Sequence, residues 1–321
     1  MPNSSQILAL IQSHIDGDDT RFRDIAAQIA VAEAKSGHRI LADSIQKLLK
    51  KSQNNSFVIN TLSPMRMGLN EFVLESTDSY RLINLVAPTE VKEKLERVVK
   101  EYLQRDLLYK HNLTNRSKIL LSGPSGTGKT MTANIIANEL NIPLYVVRME
   151  AVISKYMGET SLKLGKVFEL ISRFRGVYLF DEFDAIGIKR GMDNEVGEMR
   201  RVLNTFLQMI ERDDSDSIII AATNNQEVLD NALFRRFDDI VEYHLPDVDQ
   251  IKTLLSNRLI SFSNGLDYDS LSECLIGHSH AEIIAVCEDA IKESLLNNEP
   301  LNEQLIKDAA GKRYISNRHI G

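Results

Sequence analysis

Gly123-Pro124-Ser125-Gly126-Thr127-Gly128-Lys129-Thr130 fills every fixed position of the phosphate-loop pattern G-x-x-x-x-G-K-[ST]. Its glycines let the backbone turn so that successive N–H groups point inward, a conformation that a Cβ resists. Lys129 brings a point charge to the β- and γ-phosphates of a nucleotide, and Thr130 offers a hydroxyl to Mg²⁺. Lys118-Ile119-Leu120-Leu121-Ser122, ahead of the loop, reads as a short apolar strand, and residues 131–140 read as a helix with an apolar face. Strand, loop and helix in that order predict a nucleoside-triphosphate site. The loop residues and Met131 are its binding candidates.

Outward from the loop, apolar strands alternate with helices. Strands are expected at 119–122, 144–148, 177–180, 218–222 and 240–244, and their near-continuous apolar character predicts a parallel sheet covered by helices on both faces. This α/β domain is placed at 88–246. It opens with an amphipathic helix after Pro88 whose expected buried face is Val91, Leu95, Val98, Val99, Tyr102 and Leu103. Beyond Leu245-Pro246-Asp247 strand signals stop, and helices near 249–260, 269–276, 281–296 and 301–310 predict a small all-α domain over 247–321. Residues 1–51 read as a small helical domain, with Ile25, Ala26, Ile29 and Ala30 on one of its helices. Residues 52–87 read as a connecting segment with short β-like runs at Phe57-Val58-Ile59 and Phe72-Val73-Leu74.

The composition is that of a globular chain: 321 residues, 43% hydrophobic, 26% charged and a net charge of −7. The acidity argues against nucleic acid as a direct ligand, because phosphate affinity comes from Lys and Arg. No apolar stretch approaches a membrane span and the first residues lack a signal-peptide pattern, so a cytoplasmic location is expected. Cys274 and Cys287 are the only cysteines and read as core residues of helices. His278-x-His280 lacks further ligands at zinc spacing.

Val177-Tyr178-Leu179-Phe180-Asp181-Glu182 delivers two acids at the C-terminal end of a buried strand, where open α/β sheets bind their ligands. Asp181 suits a metal position opposite Thr130, and Glu182 suits polarisation of the attacking water. A further buried strand, Ile218-Ile219-Ile220-Ala221-Ala222-Thr223, ends in the amide Asn224.

These motifs, with Asp181-Glu182-Phe183-Asp184-Ala185-Ile186-Gly187 and Leu229-Asp230-Asn231-Ala232-Leu233-Phe234-Arg235-Arg236-Phe237-Asp238, resemble the AAA family of ring-forming ATPases over roughly residues 85–300. The resemblance implies a Mg²⁺-dependent ATPase assembling as a homo-oligomeric ring, a hexamer, that remodels, unfolds or threads a protein substrate. It makes Asn224 the polar sensor of the γ-phosphate, the C-terminal helices a lid, and Arg235 the finger that reaches a neighbouring subunit's ATP, with Arg236 as its support. The family separates its two arginines by Pro-Gly; here they adjoin, which leaves Arg236 as the alternative finger. Lys155, Tyr156 and Met157 fall where protein-remodelling members carry a pore loop. In Gly277-His278-Ser279-His280-Ala281-Glu282, His278 falls where members place a histidine near the ribose. The alternatives are an ATP-driven switch controlling a dedicated partner such as a protease and, behind it, a nucleic-acid motor or loader on the same scaffold.

Overall fold

The computed structural model describes residues 71–154, 158–183, 193–224, 234–262 and 265–318, together with Ala26, Ile29 and Ala30. The chain divides into two compact units, Met1–Met67 and Gly68–Gly321. In the first, Ala26, Ile29 and Ala30 are helical and buried, and the other expectations for that stretch lie outside the described residues.

The second unit is built on a six-stranded sheet in the order β1-β3-β4-β5-β2-β6. Its strands are β1 (Val73–Ser76), β2 (Lys118–Ser122), β3 (Leu144–Val147), β4 (Val177–Phe180), β5 (Ile218–Thr223) and β6 (Asp239–Glu242). All neighbours from β3 to β6 pair in parallel, as the continuous apolar runs predict. The difference is β1, which lies antiparallel on β3 with Val73 opposite Val147 and Ser76 opposite Leu144. Part of the segment read as a connection therefore extends the sheet by one edge, where Phe72 and Val73 are buried and Leu74 faces out.

Alternation along each strand sends successive side chains to opposite faces, so one sheet feeds two cores. Leu120, Tyr178, Phe180, Ile219 and Ala221 pack on one face against Leu164, Val167 and Ile171 and against Phe206 and Ile210. Those residues belong to two helices of the second unit, Glu159–Arg173 and Asp193–Arg212. Ile119, Leu121, Val177, Leu179, Ile218, Ile220 and Ala222 pack on the other face against Val91, Leu95, Val98, Ile135 and Ile136. In chain order the helices of this layer system are α1 (Thr89–Leu103), α2 (Arg105–Lys110), α3 (Lys129–Leu140), α4 (Met149–Val152), α5 (Glu159–Arg173) and α6 (Asp193–Arg212). Each fully buried Ile, Leu or Val contributes roughly 1.5–3 kcal/mol relative to exposure. On α1 the buried stripe is Val91, Leu95, Val98 and Tyr102; Leu103, expected inside, is 62% exposed. It follows Tyr102 by one residue, about 100° around the helix, while the Tyr102 hydroxyl donates to the Asp216 carbonyl at 2.7 Å and fixes the inward face.

After β6 the chain forms α7 (Val248–Leu259), α8 (Tyr268–Cys274), α9 (His280–Asn297) and α10 (Glu303–Arg318) around their own core of Ile251, Leu255, Leu271, Ile283, Val286 and Ile306. The helix starts are written in the sequence. Asp247 and Gln250 form a capping box on α7, and Ser279 and Glu282 form another on α9. Cys287 is buried in this core and its thiol is pushed up to about 12 by burial, whereas Cys274, expected in the core, is exposed because the short α8 ends there. A thiol reagent at neutral pH is therefore expected to modify one cysteine in the native protein and the second only after unfolding; two rapid modifications would contradict this packing. Among the described residues no helix is long and apolar enough to cross a membrane.

Candidate active site

The sheet order brings the ends of β4, β5 and β2 side by side, so the loop after β2 faces the residues that leave the ends of β4 and β5. Two close approaches explain its glycines. Gly123 has φ 140°, and a Cβ there would stand 2.1 Å from the Tyr243 carbonyl oxygen. Gly126 has φ 73°, and a Cβ would stand 2.7 Å from Ser279 Oγ at the start of α9. The loop is thus pressed between β6 and the C-terminal helices, and the Ala281 N–H donates to the Gly126 carbonyl at 3.0 Å.

Lys129 is 6% exposed, and its Nζ donates to the carbonyls of Gly123 (2.8 Å) and Pro124 (2.7 Å). Its charge is held at the inner wall of the loop. Thr127 Oγ1 donates to the Pro124 carbonyl at 2.7 Å, fixing the loop from within. Thr130 Oγ1 donates to Asp181 Oδ2 at 2.7 Å, which joins the start of α3 to the end of β4. The other carboxylate oxygen of Asp181 accepts the Glu182 N–H at 2.9 Å.

Glu182 has φ 50°, the left-handed region, where a non-glycine residue costs about 1–3 kcal/mol. The next residue holds it there: Phe183 is 1% exposed and packs on Phe206 with ring centroids 4.4 Å apart. Burying Phe183 turns the backbone so that the exposed Glu182 lines a cleft of about 350 Å³ together with Lys129, Thr130, Asp181 and Asn224. Ser125, Gly126, Gly128 and Met131 complete its loop side, and His280, Ala281 and Ile284 of α9 form the opposite wall. A second cleft of about 510 Å³ continues from it, sharing Gly128, Thr130, Met131, His280 and Ile284 and adding the apolar Leu85, Val86, Leu144, Val146 and Leu254. The first cleft gathers the charged side chains beside the loop; the second sets its apolar side chains among polar ones that include Asp78, Asn134, Arg258 and Glu288, a mixed lining that suits a flat ring with polar edges.

The remaining candidates stand elsewhere. Arg235 and Arg236 line neither cleft. Arg236 pairs with Glu211 of α6, while Arg235 is exposed with no ion pair among the described residues. Lys155, Tyr156 and Met157 lie outside the described residues, between α4 and α5 in sequence. His278 lines neither cleft, and its Nδ1 sits 3.2 Å from the Leu275 carbonyl oxygen. Ser279 takes the N-cap of α9, so the first helical turn carries His280, not His278, to the loop. Sequence reasoning missed His280. The capping pair Ser279 and Glu282 is the signal that would have found it, since it fixes which histidine opens the helix.

The sequence profile of the ATPase family associated with various cellular activities (AAA) matches residues 119–245. An uncharacterized AAA family ATPase, y4kL, of Sinorhizobium fredii is 34% identical over 284 residues, covering 87% of this chain and 86% of that protein. A proteasome-activating nucleotidase of Methanospirillum hungatei is 29% identical over 298 residues, 85% of this chain and 72% of that one. The crystal structure of the FIGL-1 AAA domain superposes with a TM-score of 0.60 at 19% identity, covering 78% of this chain and 89% of that one, a likeness of fold.

Proposed function

The chain belongs to the AAA family of ATPases, and we propose that it hydrolyses Mg-ATP in a hexameric ring of identical subunits in the cytoplasm and couples that hydrolysis to remodelling, unfolding or threading of a protein substrate. The observation that carries the hydrolytic part is the cleft that gathers Lys129, Thr130, Asp181, Glu182 and Asn224 beside a glycine-lined loop. The loop amides and Lys129 hold the phosphates. The Lys129 ammonium exchanges its two carbonyl partners for β- and γ-phosphate oxygens.

A hydroxyl and a carboxylate within hydrogen-bonding distance, Thr130 and Asp181, fit a hard divalent cation that takes its other ligands from phosphate and water. When bound, Mg²⁺ supplies neutralisation of charge on the β- and γ-phosphate oxygens. Glu182 accepts a hydrogen bond from the attacking water and takes its proton, and the Asn224 amide orients that water toward the γ-phosphate. Arg235 supplies positive charge to the transferring phosphoryl group of a neighbouring subunit, consistent with a side chain that is exposed, has no ion pair among the described residues and lies away from its own clefts. Arg236, tied to Glu211, supports the segment that presents it.

The protein-directed part is supported by the likeness to a proteasome-activating nucleotidase and by Lys155-Tyr156-Met157, an aromatic and a thioether that grip a polypeptide by apolar contact. The same likeness favours a second reading, a switch in which the ATP state controls a dedicated partner such as a protease without threading. The two separate on one variant. Tyr156→Ala is expected to abolish ATP-dependent unfolding of a fluorescent reporter protein while ATP hydrolysis without substrate continues. Undiminished unfolding would sink the pore-loop reading, and an absence of unfolding by the wild type would favour the switch.

A further inference from the structure

His280 is the first residue of α9, 9% exposed, and neither of its buried ring nitrogens has a hydrogen-bond partner among the described residues. A buried polar atom left unpaired costs roughly 1–3 kcal/mol, so such a group in a native fold calls for a partner that arrives later. Its position says which. Among the residues shared by both clefts are Gly128, Thr130 and Met131 on the loop side, faced by His280 and Ile284 on α9. A nucleotide with its phosphates on the loop and its base against the apolar side chains of the second cleft carries its sugar across that junction.

We propose that His280 is a ligand of the nucleotide's sugar, hydrogen-bonding a ribose hydroxyl where the two clefts meet, and that it makes the site select ribonucleotides over deoxyribonucleotides; this rests on the ATP site proposed above. The chemistry matches. Burial holds the ring below the ordinary histidine range, and the nearby Val86 backbone offsets this only in part without reaching hydrogen-bonding geometry. The neutral ring then offers one donor and one acceptor, which is the complement of a hydroxyl and a poorer match for a phosphate oxygen, which only accepts. The placement is also fixed. Ser279 caps the helix beneath it, and the Ala281 N–H is bonded to the Gly126 carbonyl beside it, so His280 cannot leave the junction without unseating α9.

The test compares dissociation constants of ADP, 2′-deoxy-ADP and 3′-deoxy-ADP for the full chain and for His280→Ala. One neutral hydrogen bond corresponds to about 3- to 10-fold in affinity. The wild type is expected to bind one deoxy analogue about 3- to 10-fold more weakly than ADP, and His280→Ala to bind ADP as weakly as that analogue, with the preference gone. If the variant weakens all three nucleotides alike and keeps the preference, His280 is structural and the inference is overturned. Equal affinities of the wild type for all three overturn it without any variant. Failure of the wild type to bind ADP at all would instead overturn the nucleotide site on which the inference rests.

Discussion

Replacing Glu182 with Gln is expected to lower ATP turnover by about 10²- to 10⁴-fold while ATP still binds. The substitution keeps the volume and one carbonyl oxygen but removes the charge that draws a proton from water. The groups proposed to hold the phosphates and the cation keep their bonds, Lys129 to the Gly123 and Pro124 carbonyls and Thr130 to Asp181. The Glu182 backbone in its left-handed turn is set by the burial of Phe183, so the amide occupies the carboxylate's place. Turnover and ATP affinity measured on the same preparation check the result. A turnover within about threefold of wild type would remove Glu182 as the base and direct attention to a water oriented by Asn224 alone.

Arg235→Ala is expected to lower turnover further, by about 10³- to 10⁵-fold, the range for an arginine that stabilises charge on a transferring phosphoryl group from a neighbouring molecule. Arg236→Ala loses a partly exposed pair with Glu211 and is expected to cost about 1 kcal/mol of stability or less, with a correspondingly smaller effect on turnover. Mixing supplies the decisive measurement. Arg235→Ala subunits retain Glu182, and Glu182→Gln subunits retain Arg235. Where the two meet in a mixed ring in the right order, one complete site forms. Activity recovered on mixing two inactive proteins shows the site is shared between subunits, and no recovery in a verified mixed ring would place the arginine's action within its own chain.

Much of this site is legible in sequence because its parts are local. The phosphate loop is contiguous, and the two acids end a strand that its own apolar run reveals, although the order of the strands comes from the structure. The features that sequence conceals depend on contacts between distant segments. The run from Phe72 is short, and only pairing with β3 makes it a strand. Leu103 shares the apolar character of the stripe it borders, and its exposure follows from where Tyr102 is bonded. Cys274 looks like a core residue until α8 stops beneath it. His278 and His280 are indistinguishable as residue types, and the cap at Ser279 is what separates them.

The seating of α9 on the phosphate loop has a mechanical meaning. Ala281 and Gly126 are joined by a single backbone hydrogen bond, and Ser279 stands too close to Gly126 for a Cβ to intervene, so the helix rests on the loop as a lever rests on its fulcrum. With 18 residues the helix is about 27 Å long. A tilt of about 10° at the seat carries its far end through roughly 5 Å. A rotation of α9 about this seat would therefore carry the exposed Leu295 and Leu296 at its far end through a distance of side-chain size.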